Sequence, residues 1–197
     1  MIRAQNLSLS FNKVFVFKDL GFSINQGENV CFSGPSGKGK SSLLKILQGY
    51  IIPDTGFIEI DGMVLNSQNI KYIRSLMAYI PQNINLPVTN GEELLKLISN
   101  QESRKKVYHF IEGLGMNADM LMHPFDEMSG GQKQRVVIAI CLSLERKIIL
   151  LDEPTSSLDD DSIGKLISVT GNLNNSTVVS ASHNHKWISF VDNNIAI

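Results

Sequence analysis

Residues 34 to 41 read Gly34-Pro35-Ser36-Gly37-Lys38-Gly39-Lys40-Ser41, and no other stretch constrains the fold as strongly. It fits the pattern G-x-x-x-x-G-K-[ST], in which each residue type has a physical task. Glu28 to Ser33 upstream reads as a short buried strand, and Ser42 to Gln48 downstream carries apolar residues at helical spacing. A glycine-rich turn between strand and helix lets successive backbone N–H groups converge on phosphate oxygens, where side chains would block them. The helix start adds unpaired N–H groups and the positive end of its dipole. Lys40 is then placed to reach β- and γ-phosphates, and the Ser41 hydroxyl to ligate Mg²⁺.

A chain of 197 residues accommodates one α/β domain, or one with a small insert, and its 43% hydrophobic content supplies a substantial core. With 18 basic and 19 acidic residues the net charge is −1, so no nucleic acid or anionic membrane surface is expected as a partner. The longest apolar run, Val136 to Leu142, is too short to span a bilayer. Met1 to Gln5 has neither a signal peptide's apolar stretch nor a lipidation site, so the expectation is a soluble, cytoplasmic chain. Cys31 falls on a buried strand and Cys141 on an apolar helix, which predicts reduced core thiols rather than a disulfide or metal site.

Ile2 to Phe11 alternates apolar and polar residues, and Val14 to Ile24 follows closely, which predicts an antiparallel hairpin. Further strands are predicted at Phe57 to Ile60, Met77 to Ile80, Lys147 to Leu151, Thr177 to Ser180 and Asn194 to Ile197. From 83 to 129 strand signals vanish, and Glu92 to Ile98 and Arg104 to Leu114 read as amphipathic helices. Gly130 to Leu144 predicts a long helix and Asp161 to Leu173 a weaker one. The expected fold is α/β: a phosphate-loop NTPase with a mainly parallel sheet, an N-terminal antiparallel region and an inserted α-helical subdomain. The single domain would comprise a nucleotide-binding core, 1–82 and 130–197, and the helical insert, 83–129.

A buried parallel strand ending at Leu151-Asp152-Glu153 places the Asp152 carboxylate beside the phosphate loop, where it can hold Mg²⁺. Asp152 could also simply cap the next turn, since Asp-Glu-Pro-Thr is a good turn sequence. Alternation along the strand would aim Glu153 elsewhere, to polarise an attacking water. Met128-Ser129-Gly130-Gly131-Gln132 then offers a second anion-binding helix start; taken alone, Ser129 reads better as an ordinary N-cap.

These ordered motifs resemble the ATP-binding cassette (ABC) ATPases over essentially the whole chain. Gly34 to Ser41 is similar to the family's Walker A segment, with Ser42 completing the nucleotide-binding set, and Gln82 to its Q-loop glutamine. Met128 to Gln132 resembles the LSGGQ signature, Asp152 and Glu153 the Walker B aspartate and catalytic glutamate, Ser157-Leu158-Asp159 the D-loop, and His183 the switch histidine. Phe11 stands where the family stacks an aromatic on adenine; Phe15 and Phe17 are close enough to serve instead.

The resemblance implies ATP and Mg²⁺, with Ser41, Gln82 and Asp152 at the metal and Glu153, His183 and Gln82 in catalysis. It implies a head-to-tail homodimer or paired cassette, each ATP lying between one Walker A segment and the partner's Ser129, Gly130, Gly131 and Gln132. Integral membrane transporter subunits are the implied partners, with the cassette peripheral on the inner face of the membrane. Three departures stand out: Lys38 in place of a small residue, Asn184 after His183, and a chain that stops soon after the last strand. Lys38 either adds charge near the phosphates or points to solvent. Leu86 and Val88 either contact membrane subunits or belong to the core of the insert. The short length suggests a small exporter-type system. The alternatives are a soluble nucleotide-driven clamp on ribosomes or DNA, and a small-molecule kinase that leaves the signature, Glu153 and His183 unexplained.

Overall fold

The structure is a computed structural model that describes residues 1–98, 100–173 and 175–197. Its layering follows from side-chain parity on three central strands. These are β3 (Asn29–Ser33), β7 (Ile148–Asp152) and β8 (Thr177–Ser182). Val30, Phe32, Ile148, Leu150, Val179 and Ala181 belong to one apolar cluster. Cys31, Ile149, Leu151 and Val178 belong to another. Successive residues of a strand point to opposite faces, so strands buried along nearly their whole length must be covered on both sides.

The covering elements are the predicted ones. α1 (Lys40–Leu47) places Leu43, Leu44, Ile46 and Leu47 in the first cluster. α5 (Gly130–Ser143) fills the second with its buried run Val136 to Leu142. With β6 (Met77–Ile80) and β9 (Asn193–Ala196), the central strands form a five-stranded, all-parallel sheet in the order β6-β7-β8-β3-β9. α6 (Asp160–Gly171) connects β7 to β8.

β1 (Ile2–Phe11) and β2 (Val14–Ile24) make the predicted antiparallel hairpin. Strict alternation fails in β1, because register shifts near Leu7 and Leu9 leave Leu7, Ser8 and Leu9 buried in succession. β4 (Thr55–Ile60) pairs with the other edge of β1, and β5 (Met63–Val64) completes a separate four-stranded sheet. Asp61 and Gly62 join β4 to β5 with φ of 52° and 78°, the left-handed pair that a two-residue hairpin turn demands.

Residues beyond β6 hold α3 (Gly91–Ile98), α4 (Gln101–Gly113) and a 3-10 turn at Ala118–Leu121. Asn100 sets the start of α4 by accepting from the Ser103 N–H at 2.9 Å. Leu86 and Val88 are half-buried and pack against the α5 cluster, so they serve as core. Two further short helices, α2 (Ile70–Ser75) and α7 (His185–Ile188), gave no clear periodic signal, being less than two turns long. No helix among the described residues is long and apolar enough to cross a membrane.

Candidate active site at the carboxyl end of the parallel sheet

The glycine-rich loop runs from the end of β3 to the start of α1, as the sequence predicts. Gly39 caps α1 with φ of 91°, and a Cβ there would overlap the Val16 side chain. Gly34 lies against the end of the chain, where a Cβ would come 2.6 Å from the Ile197 carbonyl oxygen. Both positions need glycine on steric grounds. Lys40 is buried and folds back over the loop: its Nζ donates to the carbonyls of Gly34 at 2.8 Å and Pro35 at 3.1 Å.

Asp152 closes β7 beneath the loop. Its parity sends the side chain to the α1 face, and Ser41 Oγ donates to Asp152 Oδ1 at 2.8 Å. The Tyr79 hydroxyl donates to the other oxygen at 3.3 Å. Burial raises the Asp152 pKa from its ordinary value, against the opposing pull of these two hydrogen bonds. Burial also raises the Tyr79 pKa, and the neighbouring Asp152 charge adds to it. Sequence reasoning passed over Tyr79, which reads as an ordinary strand aromatic; its pairing with Asp152 follows from the β6–β7 register, Tyr79 lying opposite Leu150.

Glu153 reaches the site by a different device from strand alternation. It lies just past β7 with φ of 48°, a left-handed conformation costing a non-glycine residue about 1–2 kcal/mol. Its N–H donates to Ala181 at 2.8 Å, and its carbonyl accepts from Ser156 N–H at 3.2 Å and from Gln134 Nε2 at 3.2 Å. Glu153 Oε1 stands 3.0 Å from His183 Nδ1 and 3.7 Å from Lys40 Nζ. Oε2 is buried and has no partner. His183 follows β8 directly, and Asn184 caps α7 by accepting from the Trp187 N–H at 3.1 Å. The amide oxygen of Asn184 does what a carboxylate would do at this cap.

A cleft of about 270 Å³ gathers most of the expected residues: Phe11, Ser36, Gly37, Gly39, Lys40, Ser41, Ser42, Gln82, Glu153 and His183, together with Val16. Lys38 is exposed and outside this lining. Phe17 is buried in the core, and Phe15 is exposed away from the cleft, leaving Phe11 as the phenylalanine on its wall. Pro35 contributes its carbonyl to Lys40, and Gly34 does the same. Val16 was missed because a strand valine carries no chemical signal.

The Ser129 segment is not part of the cleft lining. Ser129 Oγ accepts from Gln132 N–H at 3.2 Å while Gln132 Oε1 accepts from Ser129 N–H at 2.9 Å, a reciprocal capping box at the start of α5. Gly130 and Gly131 lie against the chain after β7, and a Cβ on Gly131 would come 2.5 Å from the Ser157 carbonyl oxygen. Asp159 caps α6 by accepting from Ser162 N–H at 2.8 Å, which holds its carboxyl below the ordinary aspartate value.

Residues 17–156 match the family described as ABC transporter. The chain belongs to this family. Its ATP-binding relatives include EcfA1 of Mycoplasma pneumoniae, an energy-coupling factor transporter protein, 32% identical over 95% of this chain and 72% of its own length. The ABC transporter ATP-binding protein YtrE of Bacillus subtilis is 35% identical over 88% of this chain and 83% of its own. The fold superposes on the dimeric cassette MJ0796 with a TM-score of 0.88 and 28% identity, covering 100% of this chain and 94% of that one. Another structure of that cassette is a post-hydrolysis state bound to ADP and Pi, at 27% identity and a TM-score of 0.87. This ABC cassette is thus an ATPase, the ATP-binding subunit of a transporter.

Proposed function

We propose that two cassettes, either two copies of this chain or one copy with a paired cassette, close around two ATP molecules and drive separate membrane subunits through a cycle of closure and release. One observation carries this reading. The loop cleft and the helix start at Ser129 and Gly130, which is exposed, each present backbone N–H groups suited to an anion, and the second does not line the first. A second cassette placed head to tail would bring its helix start to the open side of the cleft. Hydrolysis would then remove the γ-phosphate that joins them.

Within each cleft, the loop N–H groups and Lys40 would bind the β- and γ-phosphates, exchanging Lys40's present carbonyl partners for charged ones. Phe11 would stack on the base. Glu153 lines the cleft and would act as general base toward the attacking water. His183 would hydrogen-bond the γ-phosphate. Ser41 and Asp152 present hard oxygen donors side by side, a pair suited to Mg²⁺, with Gln82 on the same cleft wall. Bound Mg²⁺ would neutralise charge developing on the phosphates. Gln82, at the entry to the helical segment 83–129, would link the state of the nucleotide to the position of that segment.

The absence of a membrane-crossing helix among the described residues agrees with a cassette held at the cytoplasmic face by its membrane partners. Relatives carry the names phosphonates import (Nostoc sp.) and L-cystine import (Bacillus subtilis) ATP-binding protein, which favours an import system over the exporter type. The test is recovery of partners on tagged Glu153→Gln protein with Mg-ATP from detergent-solubilised membranes. A stoichiometric multi-span protein supports the transporter motor; ribosomal or DNA-bound proteins would instead favour a soluble clamp.

A further inference from the structure

We infer that Gln134 is a positioning residue for Glu153, and that it ties the hydrolytic carboxylate to the helix that begins with Gly130 and Gly131. The inference rests on the role proposed above for Glu153. Gln134 lies one turn into α5 and is 2% exposed. A buried amide is an expensive choice at such a site unless its hydrogen bonds are used, and only half of this one is. Nε2 donates to the Glu153 carbonyl at 3.2 Å, while Oε1 is buried with no partner. The neighbouring positions Val136 to Leu142 are all apolar and buried, so an apolar side chain would suit the packing here.

The bond lands where backbone geometry matters most. Glu153 is held left-handed, and its orientation is set by three backbone hydrogen bonds: its N–H to Ala181, and its carbonyl from Ser156 and from Gln134. The first two come from the sheet and the local turn. The third comes from α5, the helix whose first residues pack on the Ser157 carbonyl. A shift at the start of α5 therefore reaches the Glu153 peptide through a directional bond as well as through packing. In a closed dimer this links the occupancy of one nucleotide, at the helix start, to the aim of the carboxylate serving the other.

The test compares Gln134→Met with wild type and with Glu153→Gln, measuring steady-state ATP hydrolysis, affinity for a fluorescent ATP analogue and thermal unfolding. Met matches the amide in length, removes the donor and also removes the unsatisfied Oε1, so stability holds or rises. Expected is a kcat lower by about tenfold or more, because small misalignment of a reacting group is costly. KM and nucleotide affinity stay within about twofold, because the binding loop is untouched. Gln134→Leu gives the same comparison should Met pack poorly. Wild-type kcat in Gln134→Met beside an inactive Glu153→Gln overturns this inference alone. Full turnover in Glu153→Gln overturns the role of Glu153 and this inference with it. Parallel losses of kcat, affinity and melting temperature reduce Gln134 to a structural residue and also overturn it.

Discussion

Ser41 Oγ donates to Asp152 Oδ1 across 2.8 Å, joining the first turn of α1 to the carboxyl end of β7. The contact holds a nearly buried carboxylate whose pKa is raised by desolvation from its ordinary 3.8. From 3.8 up to the raised native value, the folded state binds the proton more tightly than the unfolded chain. Stability contributed at Asp152 therefore falls as pH climbs through that window, and at neutral pH the whole penalty is present. Asp152→Asn should raise the melting temperature of nucleotide-free protein at pH 7, because the desolvation penalty on the charged carboxylate is removed. The gain should disappear below pH 3.8. Thermal unfolding with a chelator present checks it; an Asn variant less stable at pH 7 would contradict the burial argument.

Glu153→Gln keeps the side-chain volume and removes the base. Turnover should fall by about 10²–10⁴-fold, the range for loss of a positioned general base. ATP binding should survive, because the loop, Lys40 and Ser41 are intact. Size-exclusion chromatography with Mg-ATP should then trap the closed dimer, and a variant that remains monomeric under those conditions would count against two cassettes closing on ATP.

Much of this site was legible because its chemistry depends on residue types at fixed spacing. The loop, Asp152 and the Ser129 segment each carry a local pattern, and strands β1, β2 and β6 begin and end where the sequence predicts them. Other features depend on distant parts of the chain. The left-handed turn at Glu153 has no glycine to announce it; it is held by partners 19 and 28 residues away, Gln134 on α5 and Ala181 on β8. Tyr79 meets Asp152 only through strand pairing, and Leu86 and Val88 become core only when α5 packs over them. Such relations are tertiary, and propensity has no access to them.

Ser129→Arg tests the second helix start. The residue is exposed, so the bulk is tolerated in the monomer, and loss of the reciprocal cap costs about 1 kcal/mol. Binding of a fluorescent ATP analogue should stay within about twofold, since Ser129 does not line the cleft. Hydrolysis should drop by at least about tenfold, because Arg would sit where the partner's γ-phosphate must approach. Undiminished hydrolysis would reduce the segment to a helix cap.

Trp187 is fully buried in a helix of only four residues, and its Nε1 donates to Ser180 Oγ at 2.9 Å. Ser180 Oγ in turn donates to the Val30 carbonyl at 3.1 Å, so the indole joins α7 to β8 and β3. So short a helix has little stability of its own. Its fixed position depends on this anchor and on the Asn184 cap, and His183 precedes that cap by one residue. Trp187→Ala should cost about 3–5 kcal/mol as a large-to-small core change. Trp187→Phe keeps most of the apolar contact but removes the N–H donor, costing about 1–2 kcal/mol. If α7 sets the aim of His183, the Phe variant should lower kcat several-fold while leaving ATP affinity near wild type. Thermal unfolding and steady-state kinetics on the same preparations separate the two effects. A Phe variant with wild-type kcat would mean that the Asn184 cap, through its 3.1 Å bond from Trp187 N–H, and the 3.0 Å contact of His183 with Glu153 suffice to hold the histidine in place.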